Sequence, residues 1–366
     1  MKNLEIREKN AIEFLRNITE KDIITTIFHN DTDGICSCVL INKFLKERIG
    51  KSSDFIISQP MPLTKTLIQR IKLAIPTKII VLDLAIDQEK NLCRRLEGIS
   101  ETLVIDHHQI TNMINFKRII YYNPLLEKDV YQSTSYLIYK LCSKIIDMKN
   151  YLWISLIGIA GDYNINNSLD LIEEGKNLYQ EFIQGDIKKN FINSIFGKAS
   201  DIITAMRASH ISSEKIAKII ESMDNIKEIE QRREMIEYYE RVQNEIVGIL
   251  ASIKNNAEIT ENILFYEIKS KYNLRSVIST KLSEIYPNKI IFLWEVSRNK
   301  VKFSVRNQSG KIDINRLLKE ASKDFRTAIT GGHKLAAGGL ISREEFDLFK
   351  EKIKQISSKE KLIEVK

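Results

Sequence analysis

From residue 23 to about residue 162, short runs of Ile, Val, Leu and Phe alternate with longer stretches whose apolar residues recur every three or four positions. The first kind of pattern fits strands and the second fits amphipathic helices. Strands are expected at Ile23–His29, Asp54–Ser58, Lys78–Leu84, Thr102–Asp106 and Arg118–Tyr122, with helices such as Leu63–Ala74 and Gln88–Leu96 between them. Strands and helices taking turns predict an α/β fold, a largely parallel sheet flanked by helices. After Ser133 the period turns helical, through Tyr136–Ile146 and Tyr151–Gly161, and stays so to about Lys254, where KEIEQRREMIEYYERVQNE predicts a connecting helix. From Asn262 a second α/β pattern begins. It comprises a strand ILFYEIKS, a helix near Ser276–Ile285, a hairpin of KIIFLWEVS and KVKFSVRNQ, and helices near Ile314–Ala321 and Glu344–Ile356. The expected organisation is a domain over 1–225, a helical linker over 226–258 and a smaller α/β domain over 259–366.

With 366 residues, each half can bury its own core. Cys36, Cys38, Cys93 and Cys142 form no C-x-x-C pair and lie in apolar stretches, so neither a disulfide framework nor a structural zinc site is expected. The charged, amphipathic N-terminus does not read as a signal peptide, and the apolar run Trp153–Gly161 falls short of the roughly 20 residues a membrane span needs. The expected setting is a reducing cytoplasm. A net charge of +8 and a pI near 9.0 favour a polyanionic partner, although a chain rich in Lys and Ile acquires such a balance for other reasons too.

Four of the five histidines lie beside Asp or Gly clusters. His29-Asn30-Asp31-Thr32-Asp33-Gly34 closes the first strand, and alternate side chains His29, Asp31 and Asp33 can face one point. One Asp here would read as a helix cap; three donor residues do not. Asp83 interrupts an apolar strand, where an unpaired carboxylate is unfavourable and a cation partner is economical, while Asp87 reads as the cap of the next helix. Asp106-His107-His108 ends a further strand, an imidazole pair with an acid able to orient it. Gly161-Asp162 terminates the apolar run from Trp153. Acids delivered by successive strand ends should converge on one crevice. Carboxylate and imidazole donors without cysteine suit Mn²⁺ or Mg²⁺, with Fe²⁺ or Zn²⁺ as alternatives, and the donor count suffices for two ions and hydrolysis of a phosphoester.

In that order, HNDTDG, VLDLAID, VIDHH and GIAGD resemble the four motifs of the DHH phosphoesterase superfamily, and Gly331-Gly332-His333-Lys334-Leu335-Ala336-Ala337-Gly338-Gly339 resembles the GGH…AAG signature of its DHHA1 domain. The resemblance implies that His29 and Asp31 hold one manganese ion, that Asp33, His107 and Asp162 hold the other, and that Asp83 bridges both. It further implies that Asp106 orients His107, that His108 faces the substrate phosphate, and that Arg306, Gly331, Gly332 and His333 bind substrate. His29 stands two residues before Asp31, a spacing similar to the RecJ nuclease branch and its archaeal relatives; many small-molecule members have four. The function so implied is a RecJ-like exonuclease on single-stranded DNA or RNA, with Tyr121, Tyr122 and Tyr163 as candidate stacking platforms. Two alternatives stand beside it. One is a phosphodiesterase or phosphatase for short oligonucleotides, adenosine bisphosphate or cyclic dinucleotides; the other is a replication-complex scaffold, and a replication or repair protein is a compatible partner of the nuclease too.

Overall fold

The computed structural model describes residues 2–61, 63–128, 130–181, 185–332 and 334–359. Its backbone divides into two compact units, Met1–Arg207 with Ile211–Tyr239, and Ala208–His210 with Glu240–Lys366.

The first unit opens with helix α1 (Lys2–Asn17), followed by β1 (Ile24–His29), α2 (Thr32–Ile49), β2 (Phe55–Gln59), α3 (Leu67–Ala74), β3 (Lys78–Leu82), α4 (Lys90–Glu97), β4 (Glu101–Ile105) and β5 (Ile119–Tyr122). Among the described residues these strands form one five-stranded sheet in the order β2-β1-β3-β4-β5, with every neighbouring pair parallel. The near-continuous apolar strands follow from burial on both faces. Ile24 and Phe28 of β1, Ile80 and Leu82 of β3, and Leu103 and Ile105 of β4 join a core with α1 and α2. The alternate residues Ile27, Ile79, Val81 and Val104 join a second core with α3 and α4. This strand order reverses direction between β1 and β3, and ligand crevices in open α/β sheets form at such a switch point. The turns after β1 and β3 carry the first acids.

Helices α5 (Thr134–Cys142) and α6 (Leu152–Gly161) then pack on α2. Five more complete this unit's helical part: α7 (Leu169–Leu178), α8 (Ile187–Asn190), α9 (Ile195–Ala208), α10 (Ser213–Glu221) and α11 (Glu228–Gln231). The division between units falls inside α12 (Arg233–Asn256), between Tyr239 and Glu240, rather than at the ends of a separate linker.

The second unit continues with β6 (Glu258–Ile259), β7 (Ile263–Glu267), α13 (Arg275–Ile285), β8 (Ile290–Ser297), β9 (Lys300–Arg306), α14 (Ile314–Ser322), β10 (Ile329–Gly332), β11 (Ala336–Ser342) and α15 (Arg343–Lys359). Among the described residues its sheet runs β10-β11-β9-β8-β7-β6, with β7 and β8 parallel and the other pairs antiparallel. Among the described residues, Gly331 and Gly332 at one end of the GGH…AAG segment and Ala336 to Gly339 at the other lie on two paired strands. Glycine is needed there: at φ 146° Gly332 holds a backbone that side chains disfavour, and a Cβ on Gly338 would sit 2.8 Å from Phe303 O. No helix among the described residues is long and apolar enough to cross a membrane.

Candidate metal centre

Leaving β1 at His29, the chain enters α2 with Asp31 as N-cap, its Oδ1 accepting from Gly34 N at 2.9 Å. Asp33 is fully buried and reaches the first turn of α5, where Oδ2 accepts from Thr134 N at 2.7 Å and Oδ1 from Ser135 N at 3.0 Å. A helix N-terminus stabilises a carboxylate, so α5 fixes this donor.

Asp83 follows β3 in the left-handed region, at φ 60°, and is 1% exposed. Its Oδ1 lies 3.1 Å from His107 Nε2 and accepts from Thr134 Oγ1 at 3.3 Å. Oδ2 lies 3.5 Å from His29 Nδ1 and has no hydrogen-bond partner among the described residues. Strained backbone and an orphaned buried oxygen in one residue point to a ligand rather than to stability.

His107 and His108 follow β4 and are held differently. His107 Nδ1 donates to Gln132 O at 3.1 Å, which turns Nε2 toward Asp83. His108 Nδ1 donates to Asp106 Oδ1 at 2.7 Å, and Asp106 Oδ2 accepts from Tyr121 OH at 3.5 Å. The expectation that Asp106 orients His107 is therefore corrected: from a strand end, side chains two residues apart share a face and adjacent ones do not. Asp87 departs too, its Oδ2 accepting from Thr111 N and Asn112 N at 2.6 and 3.0 Å instead of capping α4. Asp162, after α6, lies 3.5 Å from His107 Nδ1 and accepts from Tyr131 OH at 3.1 Å.

The structure thus brings together three donor groups, each with its atoms within 4.8 Å: His29, Asp31 and Asp83; Asp33, His107 and Asp162; and Asp83, His107 and His108. Electrostatics give an independent test of whether divalent cations fit. Burial, then the charge of Asp83, pushes Asp33 up to about 7. Burial and the charge of Asp33 hold Asp162 well above the usual carboxylate range. On His29 burial acts downward, but the charges of Asp31 and Asp83 outweigh it and raise the imidazole to about 10. Four carboxylates so crowded do not all ionise without added positive charge, and oxygen with imidazole donors suits Mn²⁺ or Mg²⁺.

In the second unit, Arg306 ends β9 opposite Ala336 of β11, while Gly331 and Gly332 of β10 pair with Gly338 and Ala337. His333 lies outside the described residues. Of the candidate stacking tyrosines, Tyr121 and Tyr122 are core residues and only Tyr163, 61% exposed, is open. Sequence reasoning missed Tyr131, whose ring stacks on His107 at 4.6 Å between centroids. It stands outside every motif and periodic run, so no signal marked it.

Residues 23–159 match the model for the DHH family, N-terminal domain, and residues 262–359 match the model for the DHHA1 domain. No curated protein matches the chain. Solved structures with a similar fold include RecJ of Thermus thermophilus in complex with Mn²⁺, at TM-score 0.74 and 16% identity over 96% of this chain and 55% of that one. This chain therefore spans about half the length of that relative. An exonuclease RecJ bound to manganese is similar at TM-score 0.71 and 16% identity, over 96% of this chain and 94% of that one. A pGpG-specific phosphodiesterase from Vibrio cholerae is similar at TM-score 0.50 and 15% identity, over 92% and 99%. With the two domain models matched in order and the donor residues of the first gathered at the switch point of its sheet, the chain belongs to the DHH/DHHA1 phosphoesterase superfamily, whose members are metal-dependent phosphoesterases.

Proposed function

We propose that this protein is a two-metal phosphodiester hydrolase, a RecJ-like exonuclease that removes nucleotides from single-stranded DNA or RNA. One observation carries the reading: Asp83, strained and with an unsatisfied buried oxygen, is shared by the donor group of His29 and Asp31 and the donor group around His107. His29 and Asp31 would hold one ion, Asp33, His107 and Asp162 the other, and Asp83 both. When bound, two Mn²⁺ or Mg²⁺ ions supply Lewis-acid activation of a water and neutralise charge on the leaving oxygen. Around them the protein orients and donates. The Gln132 carbonyl fixes the His107 tautomer, and Asp106 accepts a hydrogen bond from Nδ1–H of His108, leaving Nε2 to face a phosphate oxygen. Arg306, Gly331, Gly332 and His333 are assigned to substrate binding.

A second reading keeps the chemistry and shortens the substrate to a dinucleotide or a few nucleotides; likeness to the pGpG-specific phosphodiesterase over 92% of the chain favours it. A Mn²⁺-dependent time course on end-labelled single strands, from dinucleotides to about 30-mers, separates the two. Ladders on long strands support the exonuclease, and cleavage confined to the shortest substrates selects the second reading. Absence of hydrolysis with either metal overturns both and leaves the scaffold.

A further inference from the structure

Four residues at two neighbouring strand ends share a face. Asp106 and His108 stand two apart after β4, Tyr121 and Asn123 stand two apart at the end of β5, and the two strands run in parallel register with Ile105 opposite Tyr122. Asp106 N donates to Tyr122 O at 3.1 Å, so the pairing carries on past the end of β4. Asp106 and Asn123 are fully buried, and Tyr121 is 1% exposed. Tyr121 is thus closed to a stacking base, and its hydroxyl has another use.

The Asn123 amide is a fork. Its Nδ2 donates to His108 O at 2.9 Å and to Tyr121 OH at 3.1 Å, while Oδ1 accepts from Leu125 N at 3.0 Å. Because the phenol oxygen accepts from Asn123, its own proton can point at Asp106 Oδ2, 3.5 Å away, and the other oxygen of Asp106 accepts from His108 Nδ1. One amide therefore holds His108 at two points: the backbone carbonyl directly, and the ring through Tyr121 and Asp106. Capping the turn at Pro124 uses only Oδ1, which a Ser or Asp would supply equally well. The two Nδ2 bonds need an amide, and burying this amide and phenol is unfavourable unless their polar atoms are paired. We infer that Asn123, with Tyr121 as relay, is the positioning residue that fixes the imidazole of His108 toward the substrate phosphate. The inference rests on the phosphodiesterase reading, which gives His108 that role.

The test uses the full chain with two variants. Asn123→Ser keeps a capping oxygen and deletes both donors, and Tyr121→Phe keeps the buried ring and deletes the relay. Mn²⁺ affinity is measured by calorimetry, turnover on a single-stranded substrate with Mn²⁺, and the ring Nδ1–H of His108 by ¹⁵N NMR of the Mg²⁺-loaded protein. Both variants should bind Mn²⁺ as the wild type does and lose about tenfold or more in kcat. Their His108 Nδ1 proton should exchange faster with water, while that of His107 is unchanged. In an Asp106→Ala background, Tyr121→Phe should cost no further activity, since the relay then leads nowhere. A loss that adds in full to that of Asp106→Ala overturns the inference, as does an unchanged His108 signal in either variant. Loss of Mn²⁺ binding or of folding in Tyr121→Phe overturns it too, assigning the pair to packing. If the wild type hydrolyses no strand with either metal, the nuclease reading fails and the ring signal alone decides whether Asn123 positions His108.

Discussion

The carboxylate of Asp106 grips the ring of His108, with 2.7 Å between Oδ1 and Nδ1, while His107 is held by a backbone carbonyl. Asp106→Ala should therefore release His108 and spare the ion beside His107. Turnover is expected to fall about 10- to 100-fold, with Mn²⁺ affinity nearly unchanged. If calorimetry instead finds Mn²⁺ affinity lost as in an Asp83 variant, Asp106 supports a ligand and the assignment is wrong.

Asp83→Asn should separate stability from function. Asn tolerates the left-handed backbone at φ 60°, keeps the shape and removes a buried negative charge that Asp33 and Asp162 both feel. Because the same charge also supports the protonated His29 and His107, the two effects offset and the metal-free variant is expected to melt close to the metal-free wild type. Added Mn²⁺ should raise its melting temperature little and restore no hydrolysis. Retention of both responses would remove Asp83 from the centre.

Metal uptake should release protons. In the metal-free protein His29 keeps its proton up to about pH 10 and Asp33 up to about pH 7, and both must give it up to donate a lone pair. Mn²⁺ affinity should thus climb with pH across neutrality. For the metal-free fold the sign is opposite: the pairing of His29 with its acids stabilises fully below its ordinary value of 6.5 and fades as pH rises through about 10. Calorimetry in two buffers of different ionisation enthalpy measures the proton count, and a count of zero would contradict the donor assignment.

Gly158→Ala should damage the centre from behind. A Cβ there would lie 2.2 Å from Ser135 Oγ and 2.7 Å from Asp33 Oδ1, so the start of α5 must move. Overpacking of this kind costs about 1–3 kcal/mol. Thermal unfolding with and without Mn²⁺ should show a lowered melting point and a reduced metal-induced shift together.

Tyr131→Phe keeps the stack on His107 and deletes the hydroxyl that donates to Asp162. Mn²⁺ affinity should drop measurably while the fold stays intact by circular dichroism; unchanged affinity would reduce Tyr131 to packing.

The parallel sheet was legible because β1, β3 and β4 are apolar runs ending in donors, and burial on both faces leaves little room for another reading. Asp33, Asp83 and Asp162 announced themselves as acids where core residues belong. The hairpin of β10 and β11 did not, since TGG and AAGG lack the alternating bulk that marks a strand, and their pairing is set by the approach to Phe303. The partner of Asp106 required a side-chain direction, which spacing alone does not decide.

The donors of the candidate centre come from strand ends and a helix end spread between His29 and Asp162, threaded through parallel crossovers. Parallel pairing brings such distant segments together late in folding, after long loops have closed. A ribosome-bound chain that has not yet emitted α6 therefore has the first donor group but lacks Asp162 of the second. The second donor group is thus complete only when the end of α6 is in place, so the centre assembles with the fold as one unit and not donor by donor.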